Sequence, residues 1–463
     1  MQDIIANQLA LHQKFFLSQS TFDVQQRLSW LRTFKQAIKE NQDELLKALQ
    51  QDLNRSIAIG FLTEVQIVYH ELDTFIKHLK HWNKDSYVPP ILLLFHKKAR
   101  IIHSPHGIVY LIVPFNFPIL LSLQPLVGSI GCGNVTVIKM PTLTPNVNKV
   151  IRKIISYLPN ELVSILPDNL SADDRHDLNY YPWDFIFFTG SKQTAAKIYS
   201  CQYNRFIPTV FELGGKSPMI VDDTCDLKQA VHKYLNTKLI NAGQICVAAD
   251  YLILKENIVE EFTNLLVDIY HKEYKDSSIY TGKLISQKKI DEVQHWIDEQ
   301  HQEDFVLLNY HIVDDKKQLQ FCFIPYSKCQ DQAYLDNELF SPIGYYYTYQ
   351  NIDDLTKIVK SHDNSLVLYC FSKDQSLINF CKHYFASGAM VVNDTLIHVF
   401  HGNLPFGGVK DSGLGKYHGK YSFLTFSHNE PYLYSKWYGD KIIDENKLFD
   451  ENFFITKHLM NKK

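Results

Sequence analysis

The sequence predicts an α/β protein of more than one domain, with parallel sheets covered by helices on both faces. Length is the first reason, since 463 residues exceed the size at which a single core keeps growing. Texture is the second. The strand-like runs "GIVYLIVPF" (107–115), "NVTVIKMP" (134–141), "LVSILP" (162–167) and "WDFIFFTGS" (183–191) are apolar along most of their length instead of alternating, as strands buried on both faces are. Third, helical segments separate these runs, as crossovers between parallel strands require. Hydrophobic residues at 45% and charged residues at 21% give an ordinary soluble balance, and a net charge of −3 leaves no basic footprint for nucleic acid or an anionic membrane.

Taken in order, residues 1–85 read as amphipathic helices. Leu28, Leu31, Phe34, Ile38, Leu45, Leu46 and Leu49 recur mostly at three- and four-residue steps. "PILLSLQPLVGSIGCG" and "NVNKVIRKIISYL" (146–158) read as helices between the first strands, and "FIFFTGS" followed by "KQTAAKIYS" as a strand, a tight turn and a helix start. The turn at Gly190–Ser191 presents free backbone N–H groups to an anion, although an ordinary βα turn fits equally well and no G-x-G-x-x-G stands near it. A second α/β pass is expected from "TVFELGGKSPMIVDD" (209–223), with later strands in "SLVLYCFSKD" (365–374) and "GAMVVNDT" (388–395). "DNELFSPIGYYYTY" (336–349) reads as a loop entering a strand, and "LPFGGVKDSGLGKYHGKYSF" (404–423) as loop.

The N-terminus lacks the basic start and sustained apolar core of a signal peptide, and no apolar run reaches membrane-spanning length. The eight cysteines are scattered, without C-x-x-C spacing, so a metal site is not expected and a reduced, cytoplasmic setting is. One of them, Cys246 in "LINAGQICVAAD" (239–250), reads on its own as either a small core side chain or a nucleophile. A thiolate attacking a carbonyl needs a donor for the oxyanion and a base for the releasing water. Asn116 in "PFNFP" is a candidate donor. Glu212 in "FELGGKSP" is a candidate base, since an apolar neighbourhood raises a carboxyl pKa toward neutrality.

In sequence order, "PFNFP", "FFTGS", "ELGGKSP", "NAGQIC", "NELFSP" and "LPFGGVKDSGLGKYHGKYSF" resemble the signatures of the aldehyde dehydrogenase superfamily, and the ending "GKYHGKYSFLTFSH" (415–428) resembles its class 3 and fatty aldehyde dehydrogenase branch. The resemblance implies a Rossmann-like cofactor domain (1–83 and 103–211), an α/β catalytic domain (212–400), and a small bridging arm with a tail (84–102 and 401–440). It implies oxidation of a medium or long aliphatic or aromatic aldehyde to a carboxylic acid, with NAD or NADP. Cys246 matches the nucleophile, Asn116 the oxyanion donor and Glu212 the base. Lys139 and Glu338 match positions that hold the cofactor's riboses, and Phe340 one that packs near the nicotinamide ribose. Gly190 and Ser191 match the pyrophosphate turn, in which Ala195 replaces the usual second Gly. A homodimer paired through the arm is implied too.

The sequence departs from the pattern at Thr142, which stands where a carboxylate usually excludes a 2′-phosphate, so NADP should be easier to accept. His398 and His401 lie where the branch carries histidines near its substrate mouth, or are packing residues. A nucleotide-independent ester or thioester hydrolase, a binding protein that has lost turnover, and acyl transfer to coenzyme A are the alternatives, the last disfavoured by Glu212.

Overall fold

The computed structural model describes residues 2–91, 97–202, 204–275, 282–309, 321–435 and 450–461. Its first helices follow the sequence periodicity. Asp23 caps the helix Val24–Leu53 by accepting from the Gln25 N–H at 2.9 Å, and the helix ends at Asn54 in the left-handed region. Leu28, Leu31, Phe34, Ile38, Leu45 and Leu49 form its buried face. Each such side chain stabilises the fold by roughly 1.5–3 kcal/mol relative to exposure. This helix packs on the helix Pro145–Ile155 and on Gln66–Trp82.

Strands β1 (Ser86–Val88) and β2 (Lys97–Pro105) pair antiparallel and come first in the chain. Next come β3 (Ile108–Ile112), β4 (Val135–Lys139), β5 (Val163–Ile165), β6 (Phe185–Thr189) and β7 (Thr209–Glu212). They form a parallel sheet in the order β7-β6-β3-β4-β5. A second sheet follows, from β8 (Pro218–Val221), β9 (Tyr251–Lys255), β10 (Leu307–Leu308), β11 (Cys322–Pro325), β12 (Ile343–Tyr349), β13 (Val367–Phe371) and β14 (Ala389–Val392). Its order is β10-β11-β12-β9-β8-β13-β14, parallel except at the β10 edge. The chain then returns. β15 (Gly413–Leu414) adds antiparallel to β7, and β16 (Ser427–Ser435) pairs with β2 along its whole length.

One expectation needs correcting. The second α/β pass does not start at 209, because Thr209–Glu212 hydrogen-bonds to β6 and closes the first sheet. The break comes at the Gly214–Gly215 turn, which a continuous apolar run conceals. Among the described residues, no helix is long and apolar enough to cross a membrane.

Candidate active site

The first sheet determines where chemistry can happen. The chain leaves β3 outward to β4 and β5, then crosses back to β6 and β7, so strand order reverses beside β3. At such a switch point the loops beyond the carboxyl ends of the strands part and leave a crevice. Asn116 follows β3, Lys139 ends β4, Gly190 and Ser191 follow β6, and Glu212 ends β7, so four strands deliver these residues to one edge. The second sheet delivers the rest from the amino ends of its strands, Cys246 before β9 and Glu338 with Phe340 before β12.

The loop carrying Cys246 is strained and strapped. Asn241, Ala242 and Gly243 all have positive φ (53°, 53° and 71°), a conformation that costs a residue with a Cβ about 1–2 kcal/mol. Only glycine fits at 243, where a Cβ would stand 2.5 Å from the Ser341 carbonyl oxygen. The Gln244 side chain holds the turn. Its amide donates to the carbonyls of Asn241 and Lys283, both at 2.9 Å, and its oxygen accepts from the Ile285 N–H. The Tyr369 hydroxyl donates to the Val247 carbonyl at 2.6 Å, and the Asn241 amide to the Asn116 carbonyl at 3.1 Å. The motif "NAGQIC" is thus a device for fixing one backbone path.

Two cavities meet at this loop. One, of about 270 Å³, is almost wholly apolar, with Phe117, Leu120, Ile245, Leu396, Phe400 and Phe406 among its walls. The other, of about 400 Å³, is lined by Phe115, Asn116, Gly190, Ser191, Glu338 and Phe340. Cys246, Glu212, Thr189 and Leu213 line both.

Burial sets the charge states at the junction. Glu212 is buried, neither carboxylate oxygen has a hydrogen-bond partner, and desolvation holds its pKa well above the ordinary carboxyl value, offset in part by Lys416. Burial likewise pushes the Cys246 thiol up to about 12. The Glu338 and Glu212 carboxyls add to the rise, while the Cys246 and Val247 backbone N–H groups oppose it. At neutral pH the resting thiol therefore keeps its proton, and Glu212 is the unpartnered carboxyl in the same cavities. Asn116 is buried as well. One of its two amide hydrogens goes to the Gln244 carbonyl at 3.2 Å, which leaves the other for a ligand.

Glu338 is held close to the backbone of Gly214, where a Cβ would lie 2.1 Å from its carboxylate oxygen. Burial raises its pKa to about 7. Its loop is anchored by a buried charge cluster. Asp250 accepts from Lys216 at 2.5 Å and from the Leu339 N–H at 3.2 Å, and Lys216 also donates to the Asn337 carbonyl at 2.9 Å. Tyr251 and Tyr345 flank the Lys216 ammonium at 5.5 and 5.1 Å. The aromatic run "GYYYTY" thereby gains a structural account. Phe340 is in the left-handed region (φ 48°), edge-on to Phe115 at 6.1 Å.

The groups on this edge fit a dinucleotide. The helix Lys192–Ser200 begins at the turn, capped by Ser191, and Gly190 and Ser191 line the polar cavity, so that the helix start, where an anion gains most, lies beside it. Ala195 is buried within that helix and lines neither cavity. The ammonium of Lys139, half-buried at the end of β4, has no hydrogen-bond or ion-pair partner among the described residues. Desolvation first, and then the like charge of Arg175, lower its pKa. Lys139, Glu338 and the Ser191 turn would hold the sugars and phosphates, with Phe340 against the ring end.

For the two histidines the structure supports the packing alternative. His398 and His401 do not line the apolar cavity; His398 packs on Phe406 and Tyr369, and His401 is exposed. Tyr417 and His418, from "KYHGKYSF", line it instead. Burial lowers the His418 pKa to about 3, so its ring is neutral. Glu71, buried in the helix Gln66–Trp82, fixes that wall by accepting from the Gly419 N–H at 2.9 Å and the Ser422 hydroxyl at 2.7 Å. Thr189, whose hydroxyl is buried without a partner beside Glu212, was also missed. Only its place at a strand end before Gly could have marked it.

A sequence profile described as the aldehyde dehydrogenase family matches residues 6–430. The chain belongs to that family. This aldehyde dehydrogenase is 32% identical over 425 residues to the 4,4′-diaponeurosporen-aldehyde dehydrogenase of Staphylococcus aureus, covering 91% of each chain. It is also 32% identical to aldehyde dehydrogenase family 3 comG of Dictyostelium discoideum, over 90% of this chain and 88% of that one. A solved structure described as the substrate-bound state of Staphylococcus aureus AldH superposes with a TM-score of 0.89 at 31% identity, covering 96% of this chain and 99% of that chain. The aldehyde dehydrogenase fold expected from the motifs is the one observed, and the activity is NAD(P)-dependent oxidation of an aldehyde to a carboxylic acid.

Proposed function

We propose that Cys246 adds to the aldehyde carbon from the apolar side while the nucleotide reaches it from the polar side. The observation that supports this is the junction of the two cavities at Cys246 and Glu212. The thiol proton leaves to solvent as sulfur bonds to carbon, so Glu212 stays ionised for the later step. The free amide hydrogen of Asn116 and the Cys246 N–H hold the oxyanion. NAD or NADP, when bound, accepts the hydride. Glu212 then takes a proton from the water that cleaves the thioester, and the acid leaves. Lys139, Gly190, Ser191, Glu338 and Phe340 form the nucleotide site in this reading, with Ala195 packed in the helix behind the turn. Residues 1–83 and 103–211 make the cofactor domain, 212–400 the catalytic domain.

The substrate is an apolar aldehyde of medium length or with one aromatic ring. A dry cavity of about 150 Å³ takes up benzene, so 270 Å³ leaves room for a ring with a side chain or a comparable alkyl chain. The test is growth of reduced-nicotinamide absorbance with hexanal, decanal or benzaldehyde, run with NAD and with NADP. Decanal and benzaldehyde turn over with both nucleotides. NADP is accepted because Thr142 brings no carboxylate and Arg175 stands near Lys139. Strict NAD selectivity would remove the role given to Thr142, and silence with all three aldehydes would remove the substrate class.

The segments 84–102 and 401–440 form the arm and tail, and we propose that the arm pairs two copies; residues 92–96 and 436–440 lie outside the described residues. β16 uses one edge on β2, and Tyr432, Leu433 and Tyr434 on it are about half exposed. Sedimentation at micromolar concentration gives a dimer mass, and a monomer there would overturn the proposal. All eight cysteines are free, in keeping with a reduced cytoplasmic location, and recovery from a membrane or organelle fraction would count against it.

A further inference from the structure

Between the helices Val24–Leu53 and Gln66–Trp82 the chain makes a left-handed residue at Asn54, a short turn at Ile57–Gly60 and a π-helical turn at Phe61–Val65. This irregular stretch places two opposite charges, Arg55 and Glu64, fully out of solvent at 1% and 0% exposure. They pair through Arg55 Nη1 and Glu64 Oε1. Arg55 Nη2 and Glu64 Oε2 both reach one loop, while Arg55 Nε has no partner among the described residues. Arg55 Nη2 donates to the Asn116 carbonyl at 2.5 Å, and the guanidinium lies 4.4 Å over the Phe117 ring. Glu64 Oε2 accepts from the Ile119 N–H at 2.8 Å and the Leu120 N–H at 3.0 Å. The pair therefore grips the loop at Asn116 itself and over the four residues that follow it. A third contact ties in the nucleophile loop, because the Asn241 amide donates to that same Asn116 carbonyl. Neither Arg55 nor Glu64 lines the apolar or the nucleotide cavity, so neither touches substrate or nucleotide there.

A buried ion pair gives little net stability compared with apolar side chains of the same volume. What this one supplies is geometry. Oxyanion stabilisation depends on donors held to within a fraction of an ångström of where charge develops. We propose that Arg55 and Glu64 are positioning residues that fix the Asn116 amide against Cys246, an inference that rests on Asn116 being the oxyanion donor. A two-armed guanidinium is needed, because it must bond a carboxylate and a backbone carbonyl at once. A lysine ammonium keeps the charge beside Glu64 but lacks the fixed fork.

The test uses R55K, N116A and the double variant in the full-length protein. It reads the single-turnover rate of reduced-nicotinamide formation and, with no nucleotide present, hydrolysis of p-nitrophenyl acetate. R55K keeps its thermal midpoint and nucleotide binding, with KM for decanal little changed, while both rates fall together by on the order of 10- to 100-fold. N116A lowers both by on the order of 10²- to 10³-fold. In the N116A background R55K then costs less than about 3-fold, because the group it positions is gone. Wild-type rates in R55K, or losses that multiply in the double variant, overturn the proposal. Normal turnover in N116A instead defeats the oxyanion reading, before Arg55 is considered. Should R55K not fold, Glu64→Gln, which keeps an acceptor for the two amides, carries the same comparison. Failure of both to fold marks the pair as structural and overturns the proposal.

Discussion

Replacing Cys246 with alanine ends aldehyde oxidation. Reduced-nicotinamide formation falls by on the order of 10⁴-fold or more, because no other thiol lines either cavity and the covalent route has no substitute. Folding and nucleotide binding persist, since the side chain is half-buried at a cavity wall and its loop is held by Gln244, Asn241 and Tyr369. Serine at the same place fails equally, because a hydroxyl there is harder still to deprotonate. The wild-type thiol has its own signature. With its pKa pushed up to about 12 in the nucleotide-free protein, the thiolate fraction grows roughly tenfold per pH unit across the neutral range. Alkylation of Cys246 by iodoacetamide is then slow at pH 7 and climbs with that slope, read by peptide mass. Fast, pH-independent labelling would show a preformed thiolate and sink this account.

The sequence marked Cys246 through its neighbours more than through itself. Gly243 and Gln244 are recognisable in "NAGQIC" because a left-handed turn and a three-bond amide strap allow few residue types. The apolar strands were legible for the same kind of reason, since β3, β4 and β6 are buried on both faces and cannot alternate. Illegible were the residues that act across the fold. Arg55, Glu64 and Glu71 sit in stretches whose composition is that of any amphipathic helix. Their meaning lies in contacts with residues 61, 55 and 348 positions away. Lys216 and Asp250 sit inside recognisable motifs, but their joint hold on the Glu338 loop needs a contact between strands that no local pattern encodes. The histidines stayed ambiguous in the sequence for a related reason. His398 and His418 are twenty residues apart in one loop region, and only packing decides which ring reaches the cavity.

That long-range wiring follows one plan. Three loops at the two cavities are tied down by buried charged side chains that do not line the cavities themselves: the Asn116 loop by Arg55, the Glu338 loop by Asp250 and Lys216, the Tyr417–His418 wall by Glu71. Glu212 stands apart. It is a strand residue whose backbone is fixed by Thr189 on one side and Gly413 on the other, while its carboxylate oxygens have no partner. An unsatisfied buried carboxyl is costly, and it persists where its proton is used.

Glutamine at position 212 therefore separates the two halves of the reaction. The amide keeps the shape and lacks the base, so the small thiolate fraction in equilibrium with the thiol still attacks and one equivalent of reduced nicotinamide appears per active site. Water then finds no proton acceptor. Steady-state turnover falls by on the order of 10²- to 10⁴-fold, the range spanned by general bases. The pH dependence has a definite sign. Only ionised Glu212 accepts a proton, and burial raises its pKa, so wild-type deacylation increases as pH rises through that elevated value. Glu212→Gln loses that limb of the profile. Rapid mixing with decanal and NADP, followed across pH, reads the burst and the plateau rate in one trace. A variant whose burst disappears together with its turnover would move Glu212 into the attack step. Unchanged turnover with the pH limb intact would remove it from the mechanism altogether.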